Sequence, residues 1–258
     1  MHAVRRGSGT PPLLVHGLGS SLRNWDPVLP ALSAQREVIA VDLPGFGESP
    51  PLRGEVTIAT LTDAVEDFIR DERLGAVDVV GSSMGARMVL EMARRGHPGT
   101  TVALDPGGFW SDGQAKVFHA SIKASVALIR AIQPALPALT RNPVGRTALL
   151  AQFSARPWKL PAELVLTELR GYKTSKSLDE ALSSLVDGPR QQGAPGGSLK
   201  GTVVIGWGRR DKVTLPSQAD RATQLFPDAT LHWFNRCGHF PHWDQPDQTA
   251  DLILTSTS

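Results

Sequence analysis

The chain has 258 residues, 41% of them hydrophobic and 20% charged, which suits one soluble globular domain with a full core. A formal net charge of +2 gives no reason to expect a nucleic acid or a membrane surface as partner, and no apolar run approaches the roughly 20 residues that span a bilayer. A single cysteine, Cys237, excludes an internal disulfide, and the basic start Met1–Ser8 has no apolar stretch behind it, so the expectation is a cytoplasmic protein without a secretory signal.

In chain order, Pro12 to His16 reads as a short apolar strand running into Gly17-Leu-Gly-Ser-Ser21. Glycines there let the backbone bend and turn N–H groups outward. Trp25 to Leu32 reads as a short helix with Pro27 in its first turn, and Glu37 to Val41 as the next strand, ending in the loop Asp42-Leu-Pro-Gly-Phe-Gly-Glu-Ser49. Ile58, Leu61, Val65, Phe68 and Ile69 recur at helical spacing with Asp63, Glu66 and Asp67 opposite, which predicts an amphipathic helix.

A Val-rich strand from Ala76 then breaks into Gly81-Ser-Ser-Met-Gly85 and continues in helical pattern. Strand, G-x-S-x-G, helix is the signature of a turn so sharp that the residues flanking the central serine, Ser83, need to be nearly free of side chain. Met84, Met88 and Met92 form a stripe best read as packing of a central helix. Thr101 to Leu104 is a further strand, ending at Asp105-Pro-Gly-Gly108.

Alternation of strand and helix up to this point indicates a parallel sheet covered on both faces. From Phe109 to Ser198 only helical or irregular segments follow, including a stripe of Val117, Ile122, Val126 and Ile129 and helices over 162–169 and 177–186. Prolines 134, 137 and 143 interrupt this block, and Gln191-Gln-Gly-Ala-Pro-Gly-Gly-Ser198 has the composition of a hinge. The sheet resumes with Gly201 to Ile205, leading to Gly206-Trp-Gly-Arg-Arg-Asp211. A helix after Pro216, a strand Thr230 to Phe234, the loop Asn235-Arg-Cys-Gly-His-Phe240 and a last helix from about Asp247 complete the chain. The expected fold is therefore α/β: a mostly parallel, doubly wound sheet built from 1–108 and 199–258, with 109–198 as an inserted helical cap.

Hydrolysis through a serine needs a nucleophile, a base, a group that orients the base, and donors for the oxyanion. In open α/β sheets these belong at the carboxyl ends of strands, where the ligand crevice forms. Ser83, Asp211 and His239 meet that requirement in order. Asp105, also at a strand end, is an alternative acid.

Taken together, these motifs resemble an α/β-hydrolase-fold serine hydrolase across nearly the whole chain. His16-Gly-Leu-Gly-Ser20 is similar to the family's oxyanion loop and Asp42-Leu-Pro-Gly-Phe-Gly47 to its loop after the following strand. Gly81 to Gly85 matches the elbow, Gly208-Arg-Arg-Asp211 the acid turn and Gly238-His239 the histidine loop. The resemblance implies Ser83 as nucleophile, His239 as base and then acid, Asp211 as its orienter, and the backbone N–H groups of Leu18 and Met84 as oxyanion donors. It also implies no cofactor and no metal. Relatives usually carry one or two strands before the His-Gly loop, for which Ala3–Arg6 offers at most a fragment.

Other polar residues have blander expected roles. Ser82 is off-centre in the motif and reads as loop packing, His16 as a prop of its loop, His242 as a neighbour or pocket wall, and Cys237 as local packing. His2, His97, His119 and His232 show no partner in sequence. Arg209, Arg210 and Lys212 flank the acid as solvated charge or as a substrate-anion clamp. Phe109, Trp110, Trp207 and Phe240 lie beside the motif loops and are candidate pocket walls with Leu18.

A serine at the elbow and a single tyrosine, Tyr172, argue against haloalkane dehalogenase and epoxide hydrolase chemistry. Ester hydrolysis of a small to medium, largely apolar substrate is the leading expectation, with lactonase, thioesterase, C–C bond hydrolase and cofactor-free perhydrolase on the same residues. Ser82 and Ala86 stand where C–C hydrolases often carry asparagine and glycine, which weighs against that chemistry. A non-catalytic ligand receptor or scaffold is the alternative of another class. The partner expected is a small acyl substrate, with the protein a monomer or homodimer.

Overall fold

The short Val-, Ile- and Leu-rich runs pair edge to edge, and their buried character on both faces is what a helix-covered parallel sheet requires. In this computed structural model, which describes residues 1–257, seven strands form one sheet among those residues. They are β1 (Ala3–Arg6), β2 (Pro12–Val15), β3 (Val38–Val41), β4 (Asp78–Ser82), β5 (Thr101–Leu104), β6 (Val203–Gly208) and β7 (Thr230–Phe234), in the spatial order β1-β3-β2-β4-β5-β6-β7. All neighbours run parallel except β1, which pairs antiparallel with β3. Ala3–Arg6 is more than the fragment expected: Ala3 lies opposite Val41 and Arg6 opposite Val38, so every residue of the edge strand is paired.

Alternate residues of the strands feed two cores. Leu13, Val15, Ile39, Val41, Val79, Ala103 and Ile205 face one apolar cluster, while Leu14, Val38, Ala40, Val80, Val102, Leu104 and Val204 face the other. The period of two is that of the pleat. Helices α1 (Leu29–Ser33) and, at the end of the chain, α11 (Pro246–Ser256) cover the second face, with Leu29, Leu32, Ala250 and Ile253 buried there. The first face is covered by α2 (Ile58–Asp71), α3 (Met84–Arg94) and α9 (Ala219–Leu225), whose Leu61, Val65, Met88, Met92 and Ala222 join that cluster. The periodicity of α2 is as the sequence predicts, and a capping box starts it: Thr60 N–H donates to Thr57 Oγ1 at 3.0 Å, and Thr57 N–H to Thr60 Oγ1 at 2.9 Å.

Between β5 and β6 the chain builds the helices α4 (Asp112–Ala131), α5 (Leu136–Arg141), α6 (Pro143–Leu150), α7 (Ala162–Thr174) and α8 (Leu178–Asp187). On α4 the buried stripe is Ala115, Phe118, Ile122, Val126 and Ile129; Val117, placed on that stripe from the sequence, is 70% exposed. The spacing explains it, because 115, 118, 122, 126 and 129 keep steps of three and four whereas 117 lies off that face. Among the described residues no single helix is long and apolar enough to cross a membrane.

Strand order reverses at β2: β3 lies on one side and β4 on the other. Such a switch point opens a crevice at the strands' carboxyl ends. The Gly17–Leu18 loop leaves β2 there, and the Ser83 turn leaves β4. The short helix α10 (Pro241–Asp244) follows the loop that brings His239 to the same edge.

Candidate active site

β4 ends at Ser82 and α3 begins at Met84, so the chain reverses at Ser83, with φ +56° and ψ −111°. A non-glycine residue in that region carries strain of about 1–3 kcal/mol, which the surroundings must hold. They do so through three hydrogen bonds: Ser83 N–H donates to Leu104 O at 2.9 Å, while Arg87 and Gly107 donate to Ser83 O at 3.1 and 3.4 Å. The flanking glycines are sterically required. A Cβ on Gly81 would collide with the carbonyl of Gly85, and one on Gly85 with the carbonyls of Val15 and His16. The turn leaves Ser83 Oγ at the N-terminal end of α3, where the helix dipole favours negative charge.

Ser83 Oγ and His239 Nε2 are 2.8 Å apart, and His239 Nδ1 lies 2.8 Å from Asp211 Oδ2. With Asp211 ionised, Nδ1 carries the hydrogen and Nε2 presents a lone pair to the Ser83 hydroxyl. Asp211 is 3% exposed and His239 1% exposed. Four donors fix the carboxylate: Val213 N–H at 2.7 Å and Thr214 N–H at 3.1 Å on Oδ1, then Thr214 Oγ1 at 2.6 Å and His239 on Oδ2. The histidine loop is pinned in turn, His239 N–H donating to Phe153 O at 2.7 Å and Gly238 N–H to Asp244 Oδ2 at 2.7 Å. Thr214 and Asp244 carry no sequence signal for these tasks; only the folded loops bring them in.

Asp105, the alternative acid, also sits in this cluster: one ligand-capable atom from each of Asp105, Asp211 and His239 lies within 4.8 Å of the others. Both nitrogens of His239 are engaged in hydrogen bonds, with Asp211 and with Ser83.

Across the crevice, a Cβ on Gly17 would stand 3.7 Å from Ser83 Oγ, so the loop after β2 passes directly over the serine. His16 is fully buried and shapes that loop. Leu43 N–H donates to its Nε2 at 3.0 Å, which leaves Nδ1 as the protonated nitrogen, donating to Gly17 O at 2.7 Å. Burial lowers the pKa of His16, keeping the ring neutral as this arrangement needs. Because the C=O and N–H of one trans peptide point opposite ways, holding Gly17 O turns the Leu18 N–H away from the ring.

Over Ser83 and His239 lies a cavity of about 30 Å³, lined by Leu18, Phe240 and Val213 from the sheet side and by Phe118, Ile122 and Tyr172, among others, from the insertion. Phe109, Trp110 and Trp207, expected as walls, are not among its lining residues. They are at most 1% exposed, Phe109 packing on Trp207 and Phe226 and Trp110 stacking on Phe118, so they belong to the core. Phe118 and Tyr172 join the walls without a sequence signal for it, while Ile122 and Val126 lie on the α4 stripe. A larger cleft of about 840 Å³ opens between the start of α2, α3 and α8, but neither Ser83, His239 nor Asp211 lines it.

Four other histidines find structural partners. His2 Nδ1 meets Asp42 Oδ2 at 2.7 Å, His97 Nε2 meets Val77 O at 2.7 Å, and His232 meets Gln248 at 3.0 Å. His242 Nε2 donates to Asn24 Oδ1 at 2.5 Å; burial and the neighbouring His239 push its pKa down to about 3, so it is a neutral scaffold ring. Asn24 Nδ2 and Ser20 Oγ both donate to Glu168 Oε1 at 2.9 Å, which ties α7 to the loop after β2. Burial also raises the Cys237 thiol pKa, with help from three nearby carboxyls, so this cysteine stays protonated. Arg209 lies over the ring of Trp233 at 4.6 Å and Lys212 donates to Ala151 O at 3.0 Å; neither lines the cavity.

A fold with this switch point, a strained serine turn and a buried histidine–carboxylate pair defines a hydrolase class, and comparison with known proteins agrees. The Alpha/beta hydrolase family profile matches residues 13–252, and the chain belongs to that family. It is 29% identical to the 2-hydroxy-6-oxo-2,4-heptadienoate hydrolase of Pseudomonas putida over 96% of this chain and 87% of that protein. It is also 29% identical to the dihydrolipoyllysine-residue acetyltransferase component of the acetoin cleaving system of Pseudomonas putida, over 95% of this chain but only 63% of that longer protein. Among solved structures, a thermophilic esterase from Thermogutta terrifontis superposes with a TM-score of 0.75 at 18% identity, covering 98% of this chain and 91% of that one. At that identity the likeness speaks for the fold.

Proposed function

We propose that the protein is a serine hydrolase that cleaves a carboxylic ester, or a related acyl bond, of a small and largely apolar substrate. The observation that carries the reading is the continuous hydrogen-bonded line Ser83 Oγ, His239 Nε2, His239 Nδ1, Asp211 Oδ2, with 2.8 Å at both links. His239 removes the Ser83 proton as Oγ attacks the acyl carbon, and Asp211 stabilises the imidazolium that forms. The oxyanion lies between the N–H groups of Leu18 and Met84. The hold of His16 on Gly17 O supports the first donor, and the start of α3 supports the second. His239 then gives its proton to the leaving oxygen. Water, deprotonated by the same ring, cleaves the acyl-enzyme and returns Ser83 to its hydroxyl form.

Substrate size and polarity follow from the cavity. At about 30 Å³ the closed space holds a short acyl chain only after the insertion, acting as a cap, yields. Its lining side chains include no lysine or arginine, so a carboxylate on the substrate has no cationic partner there. That weighs against the second reading, hydrolysis of a carbon–carbon bond in an oxo-dienoate, which is favoured by the name of the Pseudomonas putida relative.

The test is a panel of short-chain p-nitrophenyl esters, lactones, thioesters and a vinylogous diketo-acid, with Ser83→Ala beside the parent. The expected result is ester turnover in the parent and none in a folded Ser83→Ala protein. Persistent activity in the variant would overturn the nucleophile assignment, and preferential cleavage of the diketo-acid would favour the second reading.

A further inference from the structure

A second carboxyl stands behind the histidine, and the mechanism above makes no use of it. Asp105 directly follows β5, the strand next to the one whose loop carries Asp211. Its side chain is fully buried. Oδ1 accepts the Gly208 N–H at 2.8 Å, whereas among the described residues Oδ2 is buried with no hydrogen-bond donor against it. Among the described residues the one ion pair made by either carboxyl is Asp211 with His239; no lysine or arginine pairs with either.

Two ionised carboxylates this close, out of water and sharing one imidazole, repel strongly, and one proton between them removes the conflict. The donor count decides which keeps the proton. Asp211 receives four hydrogen bonds, all of which favour its charged form. Asp105 receives one, from Gly208. Burial and the charge of Asp211 together hold the Asp105 carboxyl well above the usual carboxylate range, and Asp244 adds to the rise. The ionisable groups facing it are Asp211 on the β6 loop, His239 and Cys237 on the loop after β7, and Asp244 on α10; Cys237 is a neutral thiol. A proton on Oδ2 also turns an orphan acceptor into a donor, with Asp211 as its neighbour.

We propose that Asp105 stands as a neutral carboxylic acid at neutral pH, donates its O–H to the Asp211 carboxylate, and acts as a positioning residue that sets the orientation and basicity of the group behind His239. The inference rests on the reading of Ser83, His239 and Asp211 as a catalytic relay. It differs from making Asp105 a substitute acid, because a neutral donor and an anion have opposite electrostatic effects on His239.

The contrast yields a test. Asp105→Asn keeps a carbonyl for Gly208 N–H and offers an NH2 to Asp211, copying the neutral acid in shape and hydrogen bonding. Asparagine also tolerates the left-handed backbone here, where φ is +48°. The expected result is kcat/KM within about threefold of the parent and an acid limb of its pH profile displaced by less than about half a unit. Asp105→Leu, which removes the donor, should lower kcat on the order of tenfold to a hundredfold with KM little changed. An anionic Asp105 predicts instead that Asp105→Asn loses as much as Asp105→Leu and moves the acid limb down by about one unit or more; that outcome overturns the proposal.

Infrared spectroscopy supplies a reading independent of turnover and of the folding of Asp105→Leu. A protonated-carboxyl C=O stretch should remain in the difference spectrum of parent minus Asp105→Asn near pH 7, where the half-titrated Glu168 contributes equally to both proteins and cancels. Its absence from that difference refutes the neutral acid. The same band should persist in Ser83→Ala. If that variant turned out to be active, the relay reading would fail, while the band would still decide the protonation of Asp105.

Discussion

Glu168→Gln should destabilise the protein at acidic pH and stabilise it above neutrality. Glu168 lies on α7 at 6% exposure, and its Oε1 accepts from Ser20 and Asn24 on the sheet side. Burial raises its pKa from 4.5 to about 7, against the smaller opposing pull of those two donors. The folded state therefore holds the proton more tightly than the unfolded chain. The associated stability is complete below about pH 4.5 and is lost as pH rises through about 7. At roughly 1.4 kcal/mol per pH unit, the gap amounts to about 3 kcal/mol. Glutamine keeps the Oε1 acceptor and never ionises, but it buries an NH2 group in place of Oε2, at a cost of about 1–2 kcal/mol. Hence Glu168→Gln should be less stable than the parent by about 1–2 kcal/mol near pH 4.5 and more stable by a similar amount near pH 8. Urea unfolding of both proteins across that range measures the difference directly, because every other titrating group cancels between them. Parallel profiles, with a constant offset, would refute the argument.

Three further perturbations test other joints. Asp211→Asn should reduce kcat roughly ten-thousandfold with KM little altered, since an amide neither fixes the His239 tautomer nor stabilises the imidazolium; steady-state kinetics on the ester panel measures it. Ile122→Ala should cost about 2–5 kcal/mol in chemical denaturation, while raising the rate ratio of longer to shorter acyl esters on the order of tenfold by enlarging the cavity. Arg87→Met removes the guanidinium that donates to Leu185 O and Pro189 O. It should cost about 2–5 kcal/mol and raise KM more than it lowers kcat, because Leu185 lines the cavity.

The parts of the site that were legible in sequence are those fixed by local backbone constraints. Gly81 and Gly85 stand beside Ser83 because a Cβ at either place has nowhere to go, so the turn is written in five consecutive residues. The order of serine, acid and histidine follows from strand ends at one sheet edge, and β2, β4 and β6 are fully buried runs. Nearness to a motif was a poorer guide. Trp207 lies on β6 just before the acid turn, yet it is completely buried and its Nε1–H donates to Thr214 O at 3.0 Å. Alternation along a strand, more than distance along the chain, decides whether a residue beside a motif meets the crevice.

What the sequence hid is held together across long stretches of chain. Ser20 and Glu168 are separated by 148 positions and Asn24 and His242 by 218, yet they form one chain of hydrogen bonds from α7 to α10. No periodicity encodes such pairings, because a buried Glu or Asn is recognisable only by the donors that happen to meet it. The same limit applies to the cavity: the phase of the α4 stripe says which residues are buried, not whether they rest on the core or on a substrate space. Chemistry and selectivity are thus specified by different means in this fold. The serine turn is a local steric solution that survives changes elsewhere, whereas the walls above it depend on how the insertion seats. That seating runs through Glu168 and Arg87, one poised to change charge near neutral pH and the other anchored on the helix that begins beside Ser83. Shifts in substrate preference should therefore arise from substitutions at these contacts more readily than from changes in the turn.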